Sequence, residues 1–177
     1  MGTIEPKKSA TFSSCALYRY TLTRTIDQPT LFAPSQGTGV IAWCMLNPST
    51  ADAENDDPTI RRCIGFSKDW GYRKVLIVNA YAYRATDPKA MWKSQNDGVD
   101  IVGPDNDSAI AKTTAQAQVV IAAWGTECEL GRAQKVCKLI GASKLHCLGI
   151  CKDGSPKHPL YLSHTLEPQR WRGMWSA

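Results

Sequence analysis

No two of the seven cysteines, at 15, 44, 63, 128, 137, 147 and 151, stand at the C-x-x-C spacing of zinc sites and dithiol redox motifs. An odd number without ligand spacing argues for reduced thiols. Cys44, Cys147 and Cys151 stand in or beside apolar runs, where a thiol packs as a small hydrophobe. No apolar run approaches the roughly 20 residues of a membrane span, and residues 1–14 are polar where a secretory leader would be apolar. A cytoplasmic protein without membrane partners is the expectation. The phosphate-cradling G-x-x-x-x-G-K-[ST] motif is absent, which argues against a P-loop nucleotidase. No Ser-His-Asp order, activated Cys-His pair, internal repeat or low-complexity segment occurs.

What is present suits one α/β domain over residues 15–177, preceded by a loose, Ser/Thr/Lys-rich arm over 1–14. A chain of 177 residues with 43% apolar content can bury a layered core. The net charge of +5, from 21 basic and 16 acidic residues, fits either a phosphate-bearing partner or ordinary solubility. Residues 16–25 (ALYRYTLTRT) alternate as a half-exposed strand does, and 28–38 hold the Pro and Gly of a turn. Three continuous apolar runs, 39–46 (GVIAWCML), 74–80 (KVLIVNA) and 119–123 (VVIAA), predict strands covered on both faces, and 144–150 predict a fourth. Between them, Asp57-Pro58-Thr59 is an N-cap with proline at the first helical position, opening a helix to about Trp70. Gly103-Pro104-Asp105 opens a second over 106–117, and a third runs over 130–140 to Gly141. Asp87-Pro88 reads as a turn.

Buried strands alternating with helices imply a three-layer αβα architecture around a mostly parallel central sheet. In such sheets ligands bind beyond the carboxyl ends of the strands. Each of the four strands is followed there by a distinctive segment: 47–52, 79–84, 124–126 and 152–158. One shared cleft is the economical explanation.

Each segment supports a plain and a functional alternative. Asn47-Pro48-Ser49-Thr50-Ala51-Asp52 is either a strand-ending turn or a loop whose amide and carboxylate position a water or a ribose. A divalent metal at Asp52, Asp56 and Asp57 is disfavoured because no other acidic cluster lies at a strand end, and no cofactor is expected. Asn79, at the end of an apolar strand, is either satisfied by backbone or offers an acceptor and a donor to a base edge. Tyr81 and Arg84 could then stack on the base or meet a phosphate. His158, in a loop between prolines, is either a surface residue or the donor to a leaving group that gains negative charge.

In chain order these segments resemble the uracil-DNA glycosylase superfamily. His158-Pro159-Leu160-Tyr161-Leu162-Ser163 is similar to that family's H-P-S-P-L-S loop, and Val75-Leu76-Ile77-Val78-Asn79 to its V-L-L-L-N strand. Trp124-Gly125 resembles its L-W-G, and Leu46-Asn47-Pro48 its G-I-N-P water loop. The resemblance implies N-glycosidic bond hydrolysis on a nucleobase, nucleotide or modified DNA base. Asn79 would read an extruded base with aromatic stacking, as from Trp124, Asn47 would hold the attacking water, and His158 would steady the departing anion. Leu162 would wedge into a duplex; Ser49, Ser155 and Lys157, with Ser163, would touch phosphates. Asn47 stands where the most active members carry a carboxylate, and an amide cannot act as a general base. Asp52 is the candidate substitute, and a non-catalytic nucleotide or nucleic-acid binding module is the alternative. The whole chain also resembles a bacterial and phage family, domain of unknown function 1643. That likeness rests on 46–52, 57–63, 84–88, 103–106 and 152–162 and implies no activity.

Overall fold

A computed structural model describes residues 7–26 and 39–173. Seven strands and four helices follow in the order β1 (Lys8–Phe12), β2 (Arg19–Thr25), β3 (Val40–Met45), α1 (Pro58–Asp69), β4 (Lys74–Asn79), α2 (Pro88–Asn96), α3 (Asn106–Ala115), β5 (Val119–Ala122), α4 (Leu130–Ile140), β6 (Leu145–Cys147) and β7 (Gln169–Arg170). They form one mixed sheet in the order β1-β2-β4-β3-β5-β6-β7. The inner strands β4, β3, β5 and β6 are parallel. The β1-β2 hairpin adds antiparallel to β4 on one side, and β7 adds antiparallel to β6 on the other.

The continuous apolar runs become strands buried on both faces. Ile41, Trp43 and Met45 of β3 point to one side, where they pack with Ile77, Ile121 and the α1 residues Ile60, Cys63 and Phe66. Ala42 and Cys44 point to the other, against Met91 of α2, Ile110 of α3 and Val136 of α4. The sheet therefore carries helices on both faces. From β3 the chain steps through α1 to β4, then returns through α2 and α3 across β3 to β5. Parallel crossovers are right-handed in nearly every case, so this reversal puts the returning helices on the opposite face from α1. The strand direction of travel thus switches at β3, and a crevice opens between the loops after β3 and β5.

Several expectations are corrected. The segment read as a loose arm supplies β1, whose polar side chains hid a strand that pairs with β2 from Lys8 against Arg24 onward. Residues 1–6, and the expected turn at 28–38, lie outside the described residues. Asp87-Pro88 is no turn but the start of α2: Asp87 accepts a hydrogen bond from the Lys89 N–H at 2.9 Å, repeating the cap that Asp57 makes on Ile60 in α1. That helix buries only Met91, so its apolar periodicity was weak. The run at 144–150 yields only the short β6.

The end of β4 is fixed by side chains from two helices. Asn106, fully buried at the start of α3, donates from Nδ2 to the carbonyls of Asn79 and Ala80, both at 3.1 Å. The Arg132 Nε of α4 donates to the Ala80 carbonyl at 2.6 Å, and its Nη1 pairs with Asp107 at 2.6 Å. Asn106→Ala withdraws a donor from two buried carbonyls and is expected to cost about 2 kcal/mol. Urea unfolding measures this as a lower midpoint at unchanged slope; a loss below about 0.5 kcal/mol would show the carbonyls satisfied without Asn106.

Candidate ligand-binding cleft

At the carboxyl ends of β3, β4 and β5 lies a cavity of about 540 Å³. Five of the residues singled out from sequence, Asn47, Ser49, Asn79, Trp124 and His158, line it together. Arg19, Thr50, Thr59, Thr86, Thr126 and Glu127 add polar groups to its wall, as does Asp57, which the sequence raised only as a helix cap and a disfavoured metal ligand.

The floor is Asn79, only 2% exposed, whose Oδ1 accepts from the Arg19 Nη2 at 3.2 Å. Arg19 thereby engages one of the two acceptor positions of this amide oxygen, and the NH2 group remains a donor. Asn47 donates from Nδ2 to the carbonyls of Pro48 at 3.1 Å and Ala85 at 2.8 Å, which ties the loop after β3 to the loop after β4. Trp124 is buried, meets Trp171 edge to face at 5.6 Å, and has no hydrogen-bond partner for its Nε1 among the described residues.

Arg19 and Asp57 are the two groups that local pattern concealed. Arg19 sits on β2 with its guanidinium buried, and Nη1 donates to the Ala51 carbonyl at 2.8 Å. Burial lowers its pKa to about 10 against the pull of Asp57, so it remains cationic at neutral pH. Further along β2, Arg24 donates to Asp56 at 2.7 Å and to the Asp52 carbonyl at 2.6 Å. Together these two arginines hold the loop that delivers Asp57. Asp57 Oδ1 accepts the Ile60 N–H at 2.8 Å as the cap of α1, while the residue also lines the cavity. A carboxylate is therefore present in the cleft, ten positions beyond the amide of Asn47. Its sequence signals were the Asp-Pro helix start, which reads as a cap, and an acidic cluster that is disfavoured as a metal site.

His158 stands at the rim on the loop that a 3-10 turn, Gly125–Glu127, supports through a hydrogen bond from the Gly125 N–H to the Pro156 carbonyl at 2.9 Å. Its Nδ1 accepts from the Leu160 N–H at 3.4 Å, which leaves the proton of the neutral ring on Nε2. Although the residue is exposed at its outer edge, desolvation of the ring lowers its pKa from 6.5, with Asp57 acting in the opposite direction. A neutral imidazole, a carboxylate and a buried cation thus surround one space.

The other predicted site residues do not line it. Asp52 closes its own turn, accepting the N–H groups of Glu54 at 2.8 Å and Asn55 at 2.7 Å, bonds that hold its carboxyl below the usual range. Tyr81 is core, edge to face with Trp92 at 5.2 Å, and its hydroxyl accepts from the Glu129 N–H at 3.3 Å; burial pushes its pKa up. Ser155 is buried and donates to Asp153 at 2.9 Å, bracing the insertion before His158. Lys157 is exposed. Leu162 packs half-buried against the α1 face of the core, and its carbonyl accepts from Arg62 Nη2, so it is not a free wedge. Arg84 lies in an adjoining recess. Among the described residues no group of three His, Cys, Asp or Glu side chains could hold a metal ion, and no helix is long and apolar enough to cross a membrane.

Asn serves as an N-cap about as well as Asp, so Asp57→Asn removes the charge while keeping the helix start. The His158 titration, followed by NMR, is expected below 6.5 in the native protein and lower still in this variant, because the carboxylate that favours imidazolium is gone. An unchanged midpoint would mean that Asp57 does not face the ring.

Comparison with known proteins adds a family but no activity. No curated protein and no solved structure matches the chain. A family model described as a protein of unknown function, DUF1643, matches residues 19–160, which include every residue of the cleft, and the chain belongs to that family.

Proposed function

We propose that the cleft binds a nucleobase joined to its sugar and hydrolyses the N-glycosidic bond, in a nucleotide or a modified DNA base. The observation that carries this reading is that Asp57, His158 and Asn79 border a single cavity of about 540 Å³ at the strand ends. That volume lies within the usual range for small-molecule sites, about 300–1,000 Å³. The likeness of four short segments to the uracil-DNA glycosylase superfamily supports the same reading, although no solved structure matches the chain.

Cleavage sends the electron pair of the C–N bond onto the base and leaves oxocarbenium character on the sugar. His158 donates its Nε2 proton in a hydrogen bond to the departing anion. Asp57 stabilises the sugar's positive charge and takes a proton from the attacking water, whose oxygen closes the new bond to the anomeric carbon. Asn79, steadied by Arg19, donates to an acceptor on the base. Such charge stabilisation in a sheltered cleft is worth far more than in water.

A second reading, a binding module without turnover, is favoured by Asn47, whose NH2 group is committed to two backbone carbonyls and whose amide cannot act as a general base. The two separate in one experiment, in which nucleotides and DNA carrying normal and modified bases are assayed for base release and, by calorimetry, for binding. Hydrolysis predicts release that falls about 100-fold or more in both Asp57→Asn and His158→Ala. Binding without release, lost in Asn79→Ala, establishes the module instead; neither binding nor release sinks both.

A further inference from the structure

Beside the main cavity lies a recess of about 300 Å³ that shares Ser49, Thr50, Ala85 and Thr86 with it, so one ligand could occupy both. Its outer wall is Leu17, at the turn between β1 and β2, and its cation is Arg84. We propose that this recess is a phosphate subsite, so that the ligand of the cleft is a nucleoside monophosphate rather than a bare nucleoside. The inference rests on the nucleobase reading of the main cavity and specifies its substrate.

The argument begins with the charge of Arg84. Its guanidinium donates from Nη1 to the Ala16 carbonyl at 3.1 Å and lies over the Phe12 ring at 5.0 Å. These contacts fix its plane but do not neutralise it, and no carboxylate lies within ion-pairing distance of it among the described residues. Arg84 also lies near enough to Arg19 to act electrostatically on it, so two cations share this end of the sheet, with Asp57 as the carboxylate acting on Arg19. A held, unneutralised guanidinium beside a cavity is suited to an anion.

The donors around it fit a tetrahedral anion. The hydroxyls of Ser49, Thr50 and Thr86 make no hydrogen bond to protein among the described residues, and neither do the backbone N–H groups of these three residues. Phosphate oxygens project in several directions and accept from just such a mixture of guanidinium, hydroxyl and amide donors. The cations lining the two spaces are Arg19 and Arg84, with His158 kept toward its neutral form. This suffices for one phosphate group. It lacks the line of cations that a run of strand phosphates requires.

Calorimetry on the full chain with nucleosides, their 5′-monophosphates, inorganic phosphate and a single-stranded oligonucleotide tests the proposal. The monophosphate is expected to bind about tenfold or more tighter than its nucleoside, the size of a charge-assisted contact. That ratio is expected to fall to near one in Arg84→Ala. Because Arg84 also anchors Ala16 and Phe12, Leu17→Glu provides a second variant: Leu17 is 47% exposed, so a carboxylate can enter the recess without disturbing the core, and the ratio should collapse there too. A ratio near one in the native protein, or one that survives both variants, overturns the phosphate subsite while nucleoside binding leaves the main reading standing. If no nucleoside or nucleotide binds the phosphate subsite falls, and if the oligonucleotide does not bind either the main reading falls with it. Tighter, Arg84-dependent binding of the oligonucleotide overturns the free monophosphate in favour of a strand.

Discussion

Two guanidinium groups on β2 set the path of the loop on which the cleft depends. Arg19 holds the Ala51 carbonyl and Arg24 holds the Asp52 carbonyl and the Asp56 carboxylate, so the chain leaving β3 is clamped across the sheet before it enters α1. Buried cations are tolerated only when hydrogen bonds and opposite charge replace the lost water. Here the replacements are the loop itself. The acidic run that suggests a cation site is accounted for in the same way: Asp56 pairs with Arg24, Asp52 closes its own turn, and Asp57 caps a helix.

The same clamp reaches the floor of the site, since Arg19 also binds the side chain of Asn79. β2 is thus more than an edge of the sheet. It lies between the β1 hairpin partner and β4, and this inner position is what buries its arginines. On the other side of the cleft the 3-10 turn after β5 braces the loop of His158, while Asn106 of α3 and Arg132 of α4 hold the end of β4. The chemistry is presented by loops, but every one of them is tied to strand or helix ends.

Much of this was legible beforehand because burial leaves a local signature. Strands covered on both faces read as unbroken apolar runs, Asp57-Pro58 and Gly103-Pro104-Asp105 read as helix starts and Gly141 as a helix stop, so the three longest inner strands and three of the helices stand out. α2 escaped because a helix that buries one methionine has little periodicity, and β1 because an edge strand with polar faces resembles a loop. Asn47, Asn79, Trp124 and His158 could be placed at strand ends, and strand ends of an α/β sheet converge. Asp52 does not line the cavity because a side chain that bonds the backbone N–H groups two and three residues on turns back on its own loop, and Tyr81, two residues past the end of β4, falls on the core side.

What the sequence determined by itself was the layered class and the end of the sheet at which polar groups collect, because hydrophobic periodicity is a local property with one global solution. Which polar groups meet was decided only by the tertiary structure. Arg19 and Asn79 are sixty positions apart, and Asp57 reaches the cleft through a loop whose course depends on a strand that precedes it in the chain. No window of sequence contains both partners of such a pair. Charge and hydrogen bonding act through space, so the meeting of Asp57 with Arg19 and His158 at one cavity was decided only when the chain had folded.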